Sequence, residues 1–356
     1  MSGFTIDEIA IPNTSDGPDA ADYARAVEIG NTVDAIGYGT TELAYEPAEE
    51  LTWFRNEHLP RRMLAARVDG DIVARAIYET SLGDGADSAW LTVQVLPEFR
   101  GRGIGTALAD AVESLARADG KAKALVYTAV PEQTGPRLTP PTGVGSIPAG
   151  ARDVAFLQSR GYALEQVERF SRLELPVPDL QSRLEAARER SGADYRVVTW
   201  IGRTPEEWVE DLALLGTRMS TDAPTAGLDE PEDVWDADRI RAADDRNERL
   251  DPRERLTAGA VHVPSGRLVA FTILSVPRQS HRAVAQYATL VLREHRGHAL
   301  GMLVKVGNLE QLARLRPGHP SVTTFNAEEN RHMLDVNESL GFVARGAESA
   351  WRKDLA

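Results

Sequence analysis

One segment of the chain combines the end of a strand, a glycine-rich turn and the start of a helix, an arrangement that can bind a pyrophosphate. Residues 90–96 are mostly apolar and indicate a strand, Pro97 interrupts it, and a helical pattern starts at 104. The first N–H groups of a helix have no partner within the helix and lie at its positive end, where they bind phosphate. Glycine lets the backbone approach such a group closely. The residues expected to form this pyrophosphate loop are Arg100, Gly101, Arg102, Gly103, Ile104, Gly105 and Thr106.

A related segment follows 196 residues later. Arg296, Gly297 and Gly301 keep the pattern, whereas Ala299 replaces its first essential glycine. Alanine is small, so we expect this second loop still to accept a pyrophosphate, more weakly than the first. Because much of the surrounding pattern also recurs, the sequence predicts two similar halves produced by duplication. Two copies are too few for a solenoid, so a paired architecture is expected.

The pattern Arg-x-x-Gly-x-Gly after a strand resembles the acyl-CoA pyrophosphate loop of GCN5-related N-acetyltransferases (GNAT). The resemblance implies acetyl-CoA as co-substrate and an α/β fold of two tandem GNAT-like domains, each a central mixed sheet flanked by helices. It also implies that the strand residues Val93, Val95 and Val291 hydrogen-bond the pantetheine arm and the acetyl group. The layout of the whole chain is broadly similar to actinobacterial mycothiol-synthase-like proteins, in which one half is active.

A second signature of the family, Asn-x-x-Ala-x-x-x-Tyr-x-x-x-Gly-Phe, is partly kept from Asn330 to Phe342. The resemblance implies that Asn330 helps to bind the cofactor. Asn337 replaces the family's tyrosine acid here, and Leu157 replaces it in the first half. Asn337 cannot protonate a thiolate, but it can hydrogen-bond the sulfur or order a water. Each half therefore keeps one signature better than the other, and we do not expect both to be equally active.

Acid and base candidates are scarce elsewhere in the chain. Acetyl transfer needs a neutral amine, so a base normally assists it. Tyr287 can act as an acid if it faces the cleft, although an exposed or core-edge tyrosine is the commoner situation. The remaining candidates also have solvated, capping or helix-end roles as the alternative: His58, His262, His295, His298, Glu328 and Glu338.

The connection between the first two helices of the second half, 219–225, lines the acceptor pocket in this family. Met219, Asp222 and Trp235, the last on the following helix, are therefore expected to contact the acceptor, with Asp222 pairing with a cationic amine. A helix cap followed by a solvated loop is an equally good interpretation of this run. From its polar character we expect the acceptor site in the second half, although the better glycine loop favours the first.

Length and periodicity indicate two domains. The chain of 356 residues is longer than one domain usually is. The pattern divides it into a domain at 1–176, a linker helix at 177–193 and a domain at 194–356. Between 131 and 150 the chain is rich in proline, glycine and threonine and has no periodicity. We expect a surface loop or a disordered segment there, with a lid as the alternative, and its deletion should leave both cores folded.

Composition excludes several classes of protein. A net charge of −14 is unfavourable for binding nucleic acid. The chain has no cysteine, which excludes disulfides, a thiolate nucleophile and cysteine-ligated metal, and we expect no metal site. Neither a run of about 18 apolar residues nor a leader-like N-terminus occurs, so we expect a cytoplasmic protein that does not bind membranes. The predicted function is acetylation of a small-molecule amine by a monomer or homodimer. A non-catalytic acyl-CoA-binding protein and an interaction scaffold are the alternatives.

Overall fold

The computed structural model of the chain describes residues 3–82, 86–222, 224–228 and 232–355. The elements of the first half are β1 (Thr5–Glu8), α1 (Ala21–Tyr38), α2 (Pro47–Phe54), β2 (Arg61–Val68), β3 (Asp71–Thr80), β4 (Ser88–Val95), α3 (Ile104–Ala118), β5 (Lys123–Val130), β6 (Arg137–Leu138), β7 (Ile147–Pro148), α4 (Arg152–Ser159) and β8 (Ala163–Glu174).

The linker helix α5 (Leu180–Ser191) leads into the second half, which repeats this plan. Its elements are β9 (Tyr195–Ile201), α6 (Val209–Asp222), α7 (Ala237–Leu250), β10 (Glu254–His262), β11 (Arg267–Val276), β12 (Val284–Val291), α8 (Leu300–Leu315), β13 (Ser321–Ala327), α9 (Arg331–Leu340) and β14 (Val343–Asp354). None of the helices in the described ranges is long and apolar enough to span a bilayer.

Among the described residues, twelve strands form one continuous sheet in the order β1-β2-β3-β4-β5-β14-β8-β13-β12-β11-β10-β9. Neighbouring strands are antiparallel except for β4 with β5 and β12 with β13, which run parallel. The two parallel pairs occupy corresponding places in the two halves. This mixed sheet with packed helices confirms the α/β class expected from the sequence.

The two halves exchange their last strands. The final strand β14 lies between β5 and β8, and β8 in turn pairs with β13 of the second half. The register places Glu348 of β14 opposite Ala129 of β5 and Glu168 of β8. A carboxylate encoded at the end of the second half is thereby built into the first. The domain division at 177–193 remains a prediction, because the sheet runs through both halves.

The helix behind the first glycine loop is fixed by its buried face. Ile104, Leu108, Val112 and Ala116 of α3 recur every four residues and are at most 1% exposed. This spacing places one apolar stripe of the helix against β3 and β4. The N-terminus of α3 is therefore held next to the end of β4, where the loop needs it.

A buried ion cluster joins the two halves. Glu49 of α2 is 3% exposed and accepts hydrogen bonds from Arg282 at 2.8 and 2.7 Å. The guanidinium of Arg253 lies 3.3 Å from the same carboxylate. Both arginines belong to the second half. Because a buried charge is tolerated only when it is paired, this cluster ties the halves together.

Glu49→Ala is expected to lower the free energy of unfolding by roughly 3–5 kcal/mol, since it leaves buried guanidinium groups without a counter-charge. Denaturant unfolding measures this loss. Glu28→Ala is the control, because the Glu28–Arg25 pair is exposed and its removal should change stability by less than about 0.5 kcal/mol. Equal stability of the two variants would contradict the role of the cluster.

The segment 131–150 is ordered, so the expectation of disorder is wrong, whereas most of its residues lie at the surface, as the alternative expectation had it. Strands β6 and β7 pair within it, and Ile147 is fully buried in the core of the first half. Strands of two residues are too short to produce a periodic pattern, so they could not be predicted. Deleting the segment would remove a core side chain, and it should destabilise the first half.

Ile147→Ala is expected to cost about 2–5 kcal/mol of stability, because it opens a cavity in a packed core. Val144→Ala in the same segment is the matched control, since Val144 is 41% exposed. Thermal or denaturant unfolding distinguishes them. If Ile147→Ala were as stable as Val144→Ala, the segment would not be part of the core.

Candidate functional site

A cleft of about 520 Å³ lies in the first half. The parallel pairing of β4 with β5 ends at Trp90, so the remainder of β4 has one unpaired edge. The Leu96 N–H donates to the Val73 carbonyl on β3. In an antiparallel ladder alternate residues face alternate sides, so Val95 and Val93 present their backbone groups to the cleft. These groups can bind an extended ligand such as a pantetheine arm.

The first glycine loop lines the same cleft through Arg100, Gly101, Gly103, Gly105 and Thr106. Gly103 precedes α3 in the left-handed conformation, with φ of +85°. No atom lies within 4 Å of the place where a Cβ on Gly103 would stand. The Arg100 Nε donates to the Val95 carbonyl at 2.9 Å and holds the loop against the strand. The N-terminus of α3 is therefore open to an anion.

Two residues of the predicted loop do not line the cleft. Ile104 is 1% exposed and packs into the core. The guanidinium of Arg102 lies 5.0 Å from the ring centroid of Phe99 and donates to the carbonyl of Glu98. Ile104 belongs to the sequence pattern because it starts the helix, and Arg102 makes a surface contact.

Two carboxyl groups line the cleft as well, Glu348 from β14 and Asp34 from α1. The Tyr38 hydroxyl donates to Glu348 Oε1 at 2.6 Å. Burial, reinforced by the charge of Asp34, raises the pKa of Glu348 to about 7. Burial also raises the pKa of Asp34 to about 6, against the lowering effect of Arg75. A carboxyl group with a pKa near neutrality is suited to accept a proton at physiological pH.

Sequence reasoning missed both carboxyl groups. Glu348 lies on the exchanged strand, and nothing local to residues 343–354 indicates which cleft it reaches. The one signal that could have pointed to Glu348 is its charge directly before Ser349–Trp351, which are buried in the structure. Asp34 lies on α1, outside the loop and strand patterns that indicated the cofactor site.

A buried chain of hydrogen bonds orients Asp34. Arg75 is 6% exposed and donates to Glu50 and to Gln94, both at 2.7 Å. The Gln94 side-chain amide in turn donates to Asp34 Oδ1 at 2.6 Å. A Cβ on Gly30 would stand 1.9 Å from the Arg75 guanidinium, so only glycine lets α1 approach this closely.

The second loop has nearly the same backbone as the first. Gly297 and Ala299 have φ of +90° and +54°, and Arg296 Nε donates to the Val291 carbonyl at 3.2 Å. Alanine therefore keeps the left-handed conformation here. The difference is Asp222 at the end of α6, whose carboxylate lies 2.7 Å from Arg296 and 3.3 Å from Arg293. Asp222 was expected to pair with a cationic amine, but it pairs with the arginines of the loop instead.

A buried lysine in the second half replaces a small residue that lines the cleft of the first. Lys305 of α8 corresponds to Ala109 of α3, again 196 residues earlier, and Ala109 lines the first cleft. Lys305 is 2% exposed, and its Nζ is 5.9 Å from the centroid of Phe342. Burial lowers the pKa of Lys305 to about 7. The long side chain occupies space that the small Ala109 leaves open.

The other residues expected to bind a cofactor in the second half are engaged in structural contacts. Asn330 caps α9 by accepting from the Met333 N–H at 3.3 Å. Asn337 is 2% exposed and donates to Asn326 at 2.7 Å, so it does not face a cleft. The four principal cavities among the described residues are not lined by Val291, Arg296, Gly297, Gly301, Asn330 or Asn337.

A larger cavity of about 1150 Å³ lies between the halves. Met219 and Trp235, which were expected to contact the acceptor, line it together with the candidate acid Tyr287. Trp235 precedes α7, which begins at Ala237 after the N-cap Asp236, so it is not on the helix as expected. Tyr287 is 39% exposed in this cavity and does not line the cleft of the first half.

The remaining acid and base candidates have other surroundings. His58 lines the larger cavity. His262, His295 and His298 cluster around Tyr195, whose hydroxyl is 3.0 Å from His295 Nδ1. Burial and the neighbouring His262 lower the pKa of His295. Glu328 and Glu338 form ion pairs with Arg169. No group of residues suited to hold a metal ion occurs in the described part of the chain.

Comparison with known proteins identifies the family of a domain in the first half. Residues 34–135 match the family model described as Acetyltransferase (GNAT) family. This range contains Asp34, the free edge of β4 and the first glycine loop. The chain therefore contains a GNAT acetyltransferase domain, which confirms the resemblance seen in the loop. No curated protein matches the chain at a significant level.

Solved structures establish the fold of the whole chain. A tandem GNAT protein from the clavulanic acid biosynthesis pathway matches with a TM-score of 0.71 at 24% identity, over 99% of each chain. A GCN5-related N-acetyltransferase from Sphaerobacter thermophilus matches with a TM-score of 0.62 at 15% identity, over 99% of this chain and 96% of that one. The fold is thus that of tandem GNAT proteins. These matches do not show the likeness to mycothiol-synthase-like proteins.

Proposed function

We propose that the chain is an acetyl-CoA-dependent N-acetyltransferase that acts on the amine of a small molecule, with its reaction centre in the first half. One observation carries the proposal. A single cleft is lined by the loop at 100–106, by the free edge of β4 and by the carboxyl groups of Glu348 and Asp34. The loop and strand edge suit an acyl-CoA, and the carboxyl groups suit an amine.

The residues of the cleft can supply what the reaction requires. Acetyl-CoA supplies the acetyl group as a thioester. An amine with a pKa of roughly 10 must lose a proton before it attacks. Glu348, with a pKa of about 7, is ionised in a large fraction of molecules at neutral pH and can take that proton. The backbone N–H groups of Val93 and Val95 can donate to the thioester oxygen and stabilise the negative charge that develops there.

The departing thiolate needs no dedicated acid in this scheme. Leu157 stands at the family's acid position and lines the cleft. A thiol has a pKa of about 8.5, so the thiolate can leave before it is protonated. The ammonium group loses one proton to Glu348 before it attacks and a second one from its nitrogen after the C–N bond forms and the C–S bond breaks. The CoA thiolate takes up one of these two protons, and the other is released to solvent.

A non-catalytic acyl-CoA-binding protein is the second candidate function. The observation that favours it is the replacement of the tyrosine acid in both halves, by Leu157 and Asn337. Binding would then use the same loop and strand edge without turnover.

The experiment that separates these functions incubates the protein with acetyl-CoA and a panel of primary amines. Free thiol is followed by colorimetry and the acetylated product by mass spectrometry. Amine-dependent thiol release with matching product supports the transferase. Tight acetyl-CoA binding without release for any amine supports the binding protein. Failure to bind acetyl-CoA contradicts both.

A further inference from the structure

The larger cavity between the halves adjoins the cleft of the first half. Glu79 of β3 and Trp90 of β4 line both of them. The remainder of the cavity wall comes mainly from the second half, on α6, α7, β10, β11 and β12. A molecule that extends from the cleft past Glu79 and Trp90 therefore enters the larger cavity.

An arginine lies at one end of the mainly apolar floor of this cavity. Thr257 of β10 is opposite Ile273 of β11, and Gly259 is opposite Phe271. Alternate residues of a strand face the same side of the sheet, so Arg255 lies on the same face as Thr257. The side chains of this face that line the cavity are Arg255, Thr257, Phe271 and Ile273. The floor therefore combines apolar surface with one guanidinium group.

The guanidinium of Arg255 has no partner in the described part of the chain. Its Nε is buried and makes no hydrogen bond. Burial raises the pKa of Asp251 against the lowering effect of the charge of Arg255, but Asp251 Oδ1 accepts from the Arg253 N–H at 2.9 Å and forms no ion pair with Arg255. Buried donors are normally paired, so an unpaired guanidinium at a cavity wall is suited to an anionic ligand.

Arg239 supplies a second buried donor at the same cavity. Its guanidinium lies 4.1 Å from the ring centroid of Trp235, and its Nη1 donates to Asp233 at 2.6 Å. Its Nε is buried without a partner. Burial and the charges of Arg255 and Arg239 lower the pKa of Arg246 on α7. These like charges repel one another, and an anion at Arg255 would reduce the repulsion.

The acidic side chains of the cavity wall do not cancel this preference, because nearly all of them are engaged by other groups. Their partners are Arg61 for Glu79, Arg239 for Asp233, the Arg239 N–H for Asp236, Arg241 for Asp238 and the Thr204 N–H for Asp244. Glu232 is exposed at the edge, where water and salt screen its charge. Among the described residues inside the cavity, the charge without a partner is that of Arg255.

We propose that the cavity between the halves binds the body of the acceptor, and that the acceptor is an amine at one end of an apolar chain that carries a carboxylate at the other, held by Arg255. This inference rests on the proposed function. The Nε edge of a guanidinium matches the two oxygens of a carboxylate in one plane. The reacting amine lies by Glu348 in the cleft, and the apolar chain passes Trp90 and packs on Phe271 and Ile273.

The first experiment compares ω-amino acids of four to ten carbons with n-alkylamines and α,ω-diamines of the same lengths, at saturating acetyl-CoA. At the best length the KM of the amino acid should be at least about tenfold below that of the alkylamine, because a charged hydrogen bond adds to binding. The diamine of that length should bind no better than the alkylamine. Equal KM values for amino acids and alkylamines at every length would overturn the inference.

Variants of Arg255 test its role directly. Arg255→Gln should remove the preference for amino acids, and Arg255→Glu should reverse it in favour of diamines. Arg249→Gln is the matched control, since Arg249 is exposed on α7 and lines none of the four principal cavities. A purely structural arginine would lower the melting temperature in Arg255→Gln and leave the preference unchanged, and an unchanged preference would contradict the inference.

Calorimetric binding of octanoate in the presence of CoA keeps this test separate from the proposed function, because octanoate has a carboxylate and an apolar chain but no amine. Binding that Arg255→Gln abolishes and Arg249→Gln preserves supports the carboxylate site even if no amine is acetylated, in which case only the proposed function fails. Octanoate that does not bind, or that binds equally to both variants, would overturn the inference, while acetylation of alkylamines would leave the proposed function intact.

Discussion

Glu348→Gln is expected to lower kcat by about 10²–10⁴-fold, the usual contribution of a general base, without weakening acetyl-CoA binding. Glutamine has nearly the same shape and keeps an acceptor for the Tyr38 hydroxyl, but it cannot take a proton. Steady-state kinetics with any amine that is turned over measure the loss. Asp34→Asn is the comparison, because Asp34 lines the same cleft with a lower pKa. If Asp34→Asn abolished turnover and Glu348→Gln preserved it, the base would be Asp34.

The pH dependence gives an independent readout of the same group. A base works when it is ionised, so kcat/KM of the unmodified protein should rise with pH through about 7, the pKa of Glu348. Glu348→Gln should lose this limb of the profile. A variant that kept the limb with the same midpoint would show that another group titrates.

The stability of the folded protein should change with pH in the opposite direction to kcat/KM. Because burial raises the pKa of Glu348, its contribution to stability is complete below the unfolded value of about 4.3. It is lost as the pH rises through about 7 in the folded protein. Glu348→Gln removes this loss. Its melting temperature relative to the unmodified protein should therefore be higher at pH 8 than at pH 5.

Gly103→Glu is expected to weaken acetyl-CoA binding by at least about 100-fold, because it places a carboxylate where the loop would hold a pyrophosphate. The side chain has room, since no atom lies within 4 Å of its Cβ position. The left-handed backbone costs a side chain about 1–2 kcal/mol, so Gly103→Ala is needed as the control for strain. Calorimetry measures affinity, and thermal melting confirms folding.

Ala299→Glu is the matched control in the second loop. Ala299 precedes α8 in the same conformation in which Gly103 precedes α3. Because Asp222 already neutralises Arg296 there, this change should leave acetyl-CoA affinity unaltered. Loss of binding in Ala299→Glu but not in Gly103→Glu would place the cofactor in the second half.

The sequence predicted features whose parts are close together in the chain. The first glycine loop, the edge of β4 and α3 form one contiguous pattern, so their geometry follows from local rules. The second loop shows the limit of such rules. Its backbone matches the first, but Asp222 pairs with Arg296 from the end of α6, and the pattern of the loop does not contain this residue.

The carboxyl groups of the cleft illustrate the same limit more strongly. Glu348 reaches the first half because the two halves exchange their last strands. Strand pairing between residues more than 200 positions apart leaves no local periodic signal, as the pairing of Glu348 with Ala129 shows. The sequence alone favoured an acceptor site in the second half, whereas we propose a reaction centre in the first.

The stoichiometry of acetyl-CoA binding, measured by calorimetry on the unmodified chain, Gly103→Glu and Ala299→Glu, decides whether the first half alone holds the cofactor. We expect one molecule per chain, lost in Gly103→Glu and kept in Ala299→Glu. Two molecules per chain, or binding that survives Gly103→Glu in a folded protein, would contradict it.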